Sequence, residues 1–332
     1  MVCPSAGRDL PHFLRGRLMP LLRLRSLLAV GLVMLLLAAG PFAALAQTPI
    51  RVGSKNFTEQ LVLGELILQA LAAHGLPVEN RLSLGGTAVV RQALETGEID
   101  VYAEYTGTAL LVHFSGYGLD VPREVWSNPE TSTALVREVD LERNGLVWLC
   151  PADANNTYAI AVRRHWAEEN GVYTVAHLAA YINAGGRVIF ASNPEFIDRP
   201  DGLQAFEQTY GFSIPRGDVF VLAQGSYATA QALANGANGV NAAMVFGTDG
   251  TIAAFDLLVL EDPQGAMPIY QPAPVVRAEV LQAYPQLEEV LCQVFAHLDG
   301  RTLAELNAEV DVYGRQPAAV ARDFLQRIGV IR

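Results

Sequence analysis

The sequence predicts an α/β fold of two lobes, with a chain that crosses twice between them. Beyond residue 46, short strand-like runs alternate with helical runs, which is typical of α/β proteins. Two turn-rich stretches, 151–156 and 261–274, bracket a central series of the same kind. A chain of 332 residues is long enough to build a hydrophobic core in each lobe.

The first 46 residues have the pattern of an export signal. Five arginines precede the apolar run Leu27–Leu37, and Ala44-Leu45-Ala46 has the small-x-small form of a signal-peptidase site. A retained membrane anchor is the alternative, but Gly40 and Pro41 interrupt the stretch before it reaches a comfortable spanning length. We therefore expect cleavage after Ala46 and a periplasmic location.

The charge of the chain excludes two classes of partner. The formal net charge is −11, and it becomes −15 when the five arginines and one aspartate of residues 1–46 are removed. So acidic a protein is repelled by nucleic acid and by anionic lipid. The same charge keeps a soluble protein dispersed, and we expect a monomer.

The first lobe is predicted to begin with a strand, a loop and a helix, and to repeat that order. Helical spacing of apolar residues, followed by glycine, marks each helix and its end. Alternation at this pace favours a mainly parallel sheet with helices on both faces. In order, the strands and helices are Ile50–Gly53, Thr58–Gly75, Leu82–Leu84, Ala88–Glu95 and Ile99–Tyr102.

A second series of strands and helices follows the first turn-rich stretch, and helices dominate the C-terminal part. The predicted strands and helices are Val147–Leu149, Tyr158–Val162, Val188–Ala191, Gly202–Tyr210, Val219–Leu222, Thr229–Asn235, Ala278–Leu298, Leu303–Val310 and Ala318–Ile328. We assign residues 47–152 plus 266–332 to one lobe and 153–265 to the other. A ligand is expected at the carboxyl ends of the strands, between the lobes.

Signatures of enzymes are absent from the sequence. It contains no G-x-S-x-G, H-E-x-x-H, G-x-x-x-x-G-K or G-x-G-x-x-G motif in a suitable context. The six histidines are scattered, and we interpret them as surface or interface residues. The carboxylates show no conspicuous acid/base pair and are interpreted as solvated. The sequence therefore predicts a binding protein with no cofactor and no metal, although an enzyme on the same fold stays open.

Three residues of rare types stand out. Lys55 is the single lysine among 23 basic residues, and it lies where a strand runs into a helix. Since the chain uses arginine at its other basic positions, the lysine indicates a site that needs a compact cation. The alternative is an accidental lysine on the surface. Beyond the signal, the cysteines are Cys150 and Cys292, which could pair or remain free thiols.

Four aromatic residues occur where strands of both predicted lobes end in loops. One such ring is usually part of a core, but four at loop mouths favour a binding site. They are Tyr105, Tyr158, Phe246 and Tyr270.

In order along the chain, several motifs resemble those of glycine betaine/choline/carnitine-binding proteins. These proteins are the extracytoplasmic receptors of osmoprotectant ABC importers. The resemblance covers nearly the whole chain after the signal. The motifs are Gly53-Ser54-Lys55-Asn56-Phe57-Thr58-Glu59, Glu104-Tyr105-Thr106-Gly107-Thr108, Asn155-Asn156-Thr157-Tyr158-Ala159, Phe246-Gly247-Thr248-Asp249-Gly250 and Pro272-Ala273-Pro274-Val275-Val276-Arg277.

The resemblance implies a periplasmic-binding-protein fold of the venus flytrap type, with two crossing segments and an ABC permease as partner. It assigns the four rings to an aromatic cage around a trimethylammonium group. Phe246 is a departure, because the family commonly has tyrosine there. The resemblance places three further residues against a ligand carboxylate: Lys55, Thr108 and Arg199.

Physical chemistry supports this assignment of roles. A quaternary ammonium has no N–H, so it is bound by electron-rich ring faces rather than by acceptors. A carboxylate needs charged donors, which Lys55 and Arg199 supply. We therefore predict glycine betaine or a close relative as ligand, with choline second. Carnitine, an amino acid or a polyamine stays open, and for a primary amine the nearest acceptor is Glu104, here interpreted as solvated.

Overall fold

The computed structural model describes Met1 and residues 48–222 and 225–332. The predicted signal segment lies outside the described residues except for Met1. All further description concerns the compact unit Pro49–Arg332. In this part of the chain, no helix combines the length and the apolar character that a membrane span requires.

Two five-stranded sheets organise the unit, and their strands are numbered here along the chain. The first sheet has the order β2-β1-β3-β10-β4 and the second the order β7-β6-β8-β5-β9. The strands are β1 Ile50–Lys55, β2 Val78–Gly85, β3 Val101–Tyr105, β4 Leu146–Trp148, β5 Tyr158–Arg163, β6 Phe190–Ser192, β7 Val219–Val221, β8 Ala242–Phe246, β9 Leu257–Val259 and β10 Pro272–Arg277.

The sheets are mixed, so the prediction of mainly parallel sheets is wrong. Four strand pairs are parallel and four are antiparallel. Every antiparallel pair contains β5 or β10. β5 begins just after the first turn-rich stretch, and β10 begins inside the second, whose residues 272–274 are strand and not turn. Both strands enter their sheets from the other lobe and not through a helix crossover, which a parallel neighbour requires.

Helices cover both sheets, and most of the predicted ones are present with ends shifted by a few residues. The helix predicted over Ala278–Leu298 is two helices, because Pro285 lacks an N–H donor and disfavours a helical conformation at Tyr284. The α-helices are Thr58–Ala73, Thr87–Glu95, Thr106–Thr108, Arg123–Trp126, Pro129–Asn144, Arg164–Asn170, Val175–Asn183, Pro194–Asp198, Leu203–Tyr210, Tyr227–Ala234, Thr251–Ala254, Ala278–Ala283, Gln286–Phe295, Gly300–Asp311 and Pro317–Arg327.

Each sheet is buried on both faces, as side-chain alternation along its strands shows. In β3, Val101 packs in one apolar cluster and Tyr102 in another on the opposite face. In β5, Ile160 and Ala161 likewise pack in two different apolar clusters on opposite faces of the sheet. Since successive residues of a strand point to opposite faces, each sheet has helices on both sides and a core of its own. The predicted two-lobed α/β architecture is confirmed, whereas the exact lobe boundaries remain a prediction.

The two cysteines that the sequence left unassigned form a disulfide. Cys150 follows β4 and Cys292 lies in the helix Gln286–Phe295, 142 residues later. The bond fixes the beginning of the first turn-rich stretch to the C-terminal helices. Disulfides that close long loops stabilise proteins by about 2–4 kcal/mol.

Candidate functional site

The ends of strands from both sheets meet around one cavity. The register pairs Tyr158 with Phe246 in the second sheet and Pro272, two residues after Tyr270, with Tyr105 in the first. The space free of atoms amounts to about 370 Å³ with the open solvent at its mouth included, and it is lined by all seven residues predicted for the site. The lining residues are Lys55, Phe57, Thr87, Tyr105, Thr108, Asn156, Tyr158, Asn193, Glu195, Arg199, Gly225, Phe246 and Tyr270.

The rings contact one another along the wall of the cavity. The centroid of Tyr158 lies 5.1 Å from that of Phe246 and 6.1 Å from that of Tyr270. Phe57, which the prediction did not include, stacks on Phe246 at 5.4 Å. The sequence could have indicated Phe57 as a site residue, because it lies in the same motif as Lys55. The rings thus form a continuous aromatic wall contributed by both sheets.

Two of these rings already have a cation over their faces. The Nζ atom of Lys55 lies 5.2 Å from the centroid of Tyr105. The Cζ atom of Arg199 lies 5.3 Å from the centroid of Tyr158. Both distances are within the range in which a ring quadrupole attracts a cation. The cavity therefore presents ring faces that accommodate positive charge.

Lys55 is not a surface residue, and Glu104 is not solvated. The Lys55 side chain is 2% exposed and lies 2.7 Å from Glu104, whose side chain is fully buried. Glu104 accepts three more hydrogen bonds, from the Tyr105 N–H, the Tyr102 hydroxyl and His113. Burial alone would raise the pKa of Glu104, but the Lys55 charge and the His113 hydrogen bond hold it well below its usual range. The interpretation of Glu104 as solvated was wrong.

His113 also differs from its prediction as a surface or interface residue. Its side chain is 5% exposed, and its Nε2 lies 2.9 Å from Glu104. Burial lowers the pKa of His113, although Glu104 acts in the opposite direction. The ring is therefore neutral at pH 7, and Nε2 carries the proton that is donated to the carboxylate.

Arg199 connects the two sheets at the cavity. Its guanidinium donates to Asp201 through two nitrogens, at 2.8 and 2.5 Å. It also lies 3.4 Å from the Thr87 hydroxyl and 3.3 Å from the Thr108 hydroxyl, both near the first sheet. Tyr270 donates its hydroxyl to the same Asp201. The arginine that was predicted to bind a ligand carboxylate is thus already paired with a buried one.

A third buried carboxylate, Glu59, lies behind the aromatic wall. The side chains of four residues donate to it at 2.5–3.0 Å: Tyr105, Asn156, Thr248 and Asn307. Burial raises the pKa of Glu59, and the four hydrogen bonds act against the shift. Because Thr248 follows β8 and Asn307 lies in the C-terminal helix Gly300–Asp311, this carboxylate also joins the two lobes.

Asp249 provides a pH-dependent test of the structure. Burial raises its pKa from 3.8 to about 7, against the hydrogen bonds from Ser226 and the Phe246 N–H. Because the pKa of Asp249 is raised in the folded state, the contribution of this residue to the free energy of unfolding is fully present below about pH 4. That contribution is lost as the pH rises through 7. We expect the Tm to fall between pH 4 and 8, and to fall less in Asp249→Asn, whose amide oxygen can still accept the Phe246 N–H. An equal change of Tm with pH in the wild type and in Asp249→Asn would contradict the raised pKa of Asp249.

Comparison with known proteins identifies the family. The profile described as the substrate binding domain of ABC-type glycine betaine transport systems matches residues 48–327. The chain belongs to this family.

Two curated relatives and one solved structure match the chain over most of its length. The glycine betaine-binding protein YehZ of Escherichia coli (strain K12) is 46% identical over 312 residues, which cover 94% of this chain and 99% of YehZ. The glycine-betaine-binding protein of Pseudomonas aeruginosa is 38% identical over 88% of this chain and 92% of its own length. The solved structure of apo YehZ superposes with a TM-score of 0.64 at 45% identity, over 85% of this chain and 99% of that structure.

Membership of the glycine betaine-binding family settles several predictions. The resemblance and the two-lobed fold are confirmed. So is the prediction of a binding protein rather than an enzyme, because the family consists of substrate-binding proteins of ABC transporters, which act outside the cytoplasm. The roles of the individual cavity residues remain predictions.

Proposed function

We propose that this protein captures glycine betaine, or a close quaternary ammonium relative, and delivers it to an ABC permease in the membrane. One observation carries the proposal: rings from both sheets surround a single cavity, and two of them already have a cation about 5 Å from the ring centroid. The two relatives, whose names assign them to glycine betaine, support the choice of ligand.

The trimethylammonium group would be held by the aromatic wall, with Tyr105, Tyr158, Phe246 and Tyr270 as the cage. Each ring face contributes about 0.5–2 kcal/mol, depending on how completely water is excluded. The stacked pair Tyr158 and Phe246, 5.1 Å apart, has no room for a methylated cation between its faces. Both rings belong to paired strands of the second sheet, so an opening of the lobes leaves this pair intact, and the cation would lie between the pair and the rings of the other lobe.

The ligand carboxylate would lie toward Lys55, Thr108 and Arg199. Both cations are paired with buried carboxylates but keep further N–H donors, since an ammonium has three and a guanidinium five. Because the lining comes from both sheets, a bound ligand would favour the closed form, which the permease can recognise.

A ligand screen tests the proposal. We expect glycine betaine to raise the Tm in a concentration-dependent way and to give a calorimetric binding curve, with choline and carnitine as graded competitors. Ectoine and ordinary amino acids, which lack a trimethylammonium group, should give no shift. The proposal is wrong if the protein ignores every quaternary ammonium compound at millimolar concentration, about the weakest binding that counts as recognition, or responds only to an amino acid or a polyamine.

The mature protein is proposed to be a periplasmic monomer with lobes 47–152 plus 266–332 and 153–265. The family match begins at residue 48, one residue beyond the first residue of the proposed mature chain, which is compatible with removal of residues 1–46. N-terminal sequencing of the exported protein should read Gln47-Thr48-Pro49, whereas an N-terminus upstream of Leu27 would contradict cleavage.

A further inference from the structure

Glu195 is a carboxylate in the cavity wall that the assigned roles do not use. It lies in the first turn of the helix Pro194–Asp198, directly after β6 of the second sheet. Asn193 caps this helix by accepting the Phe196 N–H at 2.8 Å, so the position of Glu195 is fixed by its own lobe. Its side chain is 23% exposed and lines the cavity.

The Glu195 carboxylate binds the other lobe. Its two oxygens accept the backbone N–H and the hydroxyl of Thr87, at 2.8 and 3.0 Å. Thr87 begins the helix Thr87–Glu95, whose N-cap residue Gly86 has no side chain that could cap it. Glu195 therefore caps this helix from across the cavity, where a negative charge is favoured. The same carboxylate lies 3.7 Å from Arg199.

These donors are of the kind that binds a carboxylate, and one of them, Arg199, is already assigned to the ligand carboxylate. A backbone N–H at a helix N-terminus, a hydroxyl and a guanidinium together form a typical anion site. In the structure Glu195 already engages the first two and lies close to the third. A carboxylate of the ligand can use them only by displacing Glu195 or by lying beside its charge.

The charge balance around the cavity points in the same direction. Lys55 is neutralised by Glu104 and Arg199 by Asp201, and neither of these two carboxylates lines the cavity. Among the charged lining residues in the described part of the chain, Glu195 is thus the one whose charge no cation compensates at hydrogen-bond distance. The wall retains a negative charge that attracts a net cation and repels a second carboxylate.

We propose that Glu195 sets the preference of the cavity between carboxylate-bearing and carboxylate-free quaternary ammonium ligands, because it competes with the ligand carboxylate for Thr87 and Arg199. The inference rests on the proposed function and assigns a specificity-determining residue to it. A zwitterion such as betaine displaces Glu195 on binding, whereas a net cation such as choline leaves it in place and gains from its charge.

The test is the ratio of two dissociation constants, Kd for betaine divided by Kd for choline, in the wild type and in Glu195→Gln. The interlobe hydrogen bonds of Glu195 survive only in the choline complex, so their loss weakens choline binding and not betaine binding. The loss of the charge favours betaine over choline as well, so the ratio should fall about tenfold, the size expected for one charge-assisted hydrogen bond. Glu195→Ala serves as a second variant with the same expected direction.

Asp198→Asn is the matched control, because it removes one charge from the same helix at an exposed position. The ratio of Kd for betaine to Kd for choline should be the same in Asp198→Asn as in the wild type. An unmoved ratio in both Glu195 variants, or a larger loss for betaine than for choline, would overturn the assignment. A wild-type protein that binds neither ligand would instead contradict the proposed function, and this inference would fall with it.

Discussion

Replacing Glu104 with glutamine should lower the free energy of unfolding by about 3–5 kcal/mol, the usual result of breaking a buried ion pair by removing one partner. The Lys55 ammonium, 2% exposed, would remain without its carboxylate. Four groups donate to the two Glu104 oxygens. A glutamine offers one acceptor oxygen, and its NH₂ group would face donors, so at least two buried groups would lose their partners.

Urea denaturation followed by circular dichroism measures this effect. The matched control is Glu305→Gln, which removes the acidic partner of the exposed pair with Arg301. Exposed pairs contribute about 0–1 kcal/mol, so this variant should unfold close to the wild type. A loss below 1 kcal/mol in Glu104→Gln would show that Lys55 and Glu104 are hydrated, and the described burial of the pair would be wrong.

Much of the order of strands and helices could be predicted because it depends on local patterns, but β9, β10 and the helix Pro129–Asn144 were missed. Apolar spacing, glycine after helices and turn-rich stretches are all visible in a short window of sequence. Strand direction is different, since it depends on how the chain enters a sheet. Nothing in Tyr158–Arg163 or Pro272–Arg277 indicates that these strands run antiparallel to their neighbours; that follows from the crossing between lobes.

The residues of the cavity were predicted from motifs, but their electrostatics were not. A carboxylate looks the same in a sequence whether it is solvated or buried. Glu59 is held by Asn307, which lies 248 residues away, and Glu195 by Thr87, which lies 108 residues away. Only the folded chain brings these partners together, so the interpretation of the carboxylates as solvated failed at Glu59, Glu104 and Asp249.

The single lysine acquires a physical explanation from the structure. A compact ammonium can lie 2.7 Å from Glu104 and 5.2 Å from the Tyr105 ring centroid at once, in a position that is 2% exposed. A guanidinium is larger and planar, with five donors that would need partners in the same small space. We infer that packing around Glu104 selects lysine at this position, apart from any contact with a ligand.

Replacing Tyr158 with alanine should weaken the binding of betaine and choline about 30-fold, which corresponds to about 2 kcal/mol for a desolvated cation–ring contact. Tyr158 is central to the aromatic wall, because its ring contacts Phe246 and Tyr270 and lies under Arg199. Both ligands carry the trimethylammonium group, so both should lose affinity equally. Truncating a buried aromatic residue also costs about 3–5 kcal/mol of stability, so binding must be measured well below the Tm of the variant.

Tyr158→Phe is the control that separates the ring from its hydroxyl. It keeps the π face and should bind both ligands within about threefold of the wild type, since the cation–ring attraction does not require the hydroxyl. Calorimetric titration of the three proteins gives the comparison. Equal losses in both variants would assign the effect to the hydroxyl, and unchanged affinity in Tyr158→Ala would remove Tyr158 from the cage. A loss for betaine alone would mean that Tyr158 acts on the carboxylate, through Arg199, and not on the methylated cation.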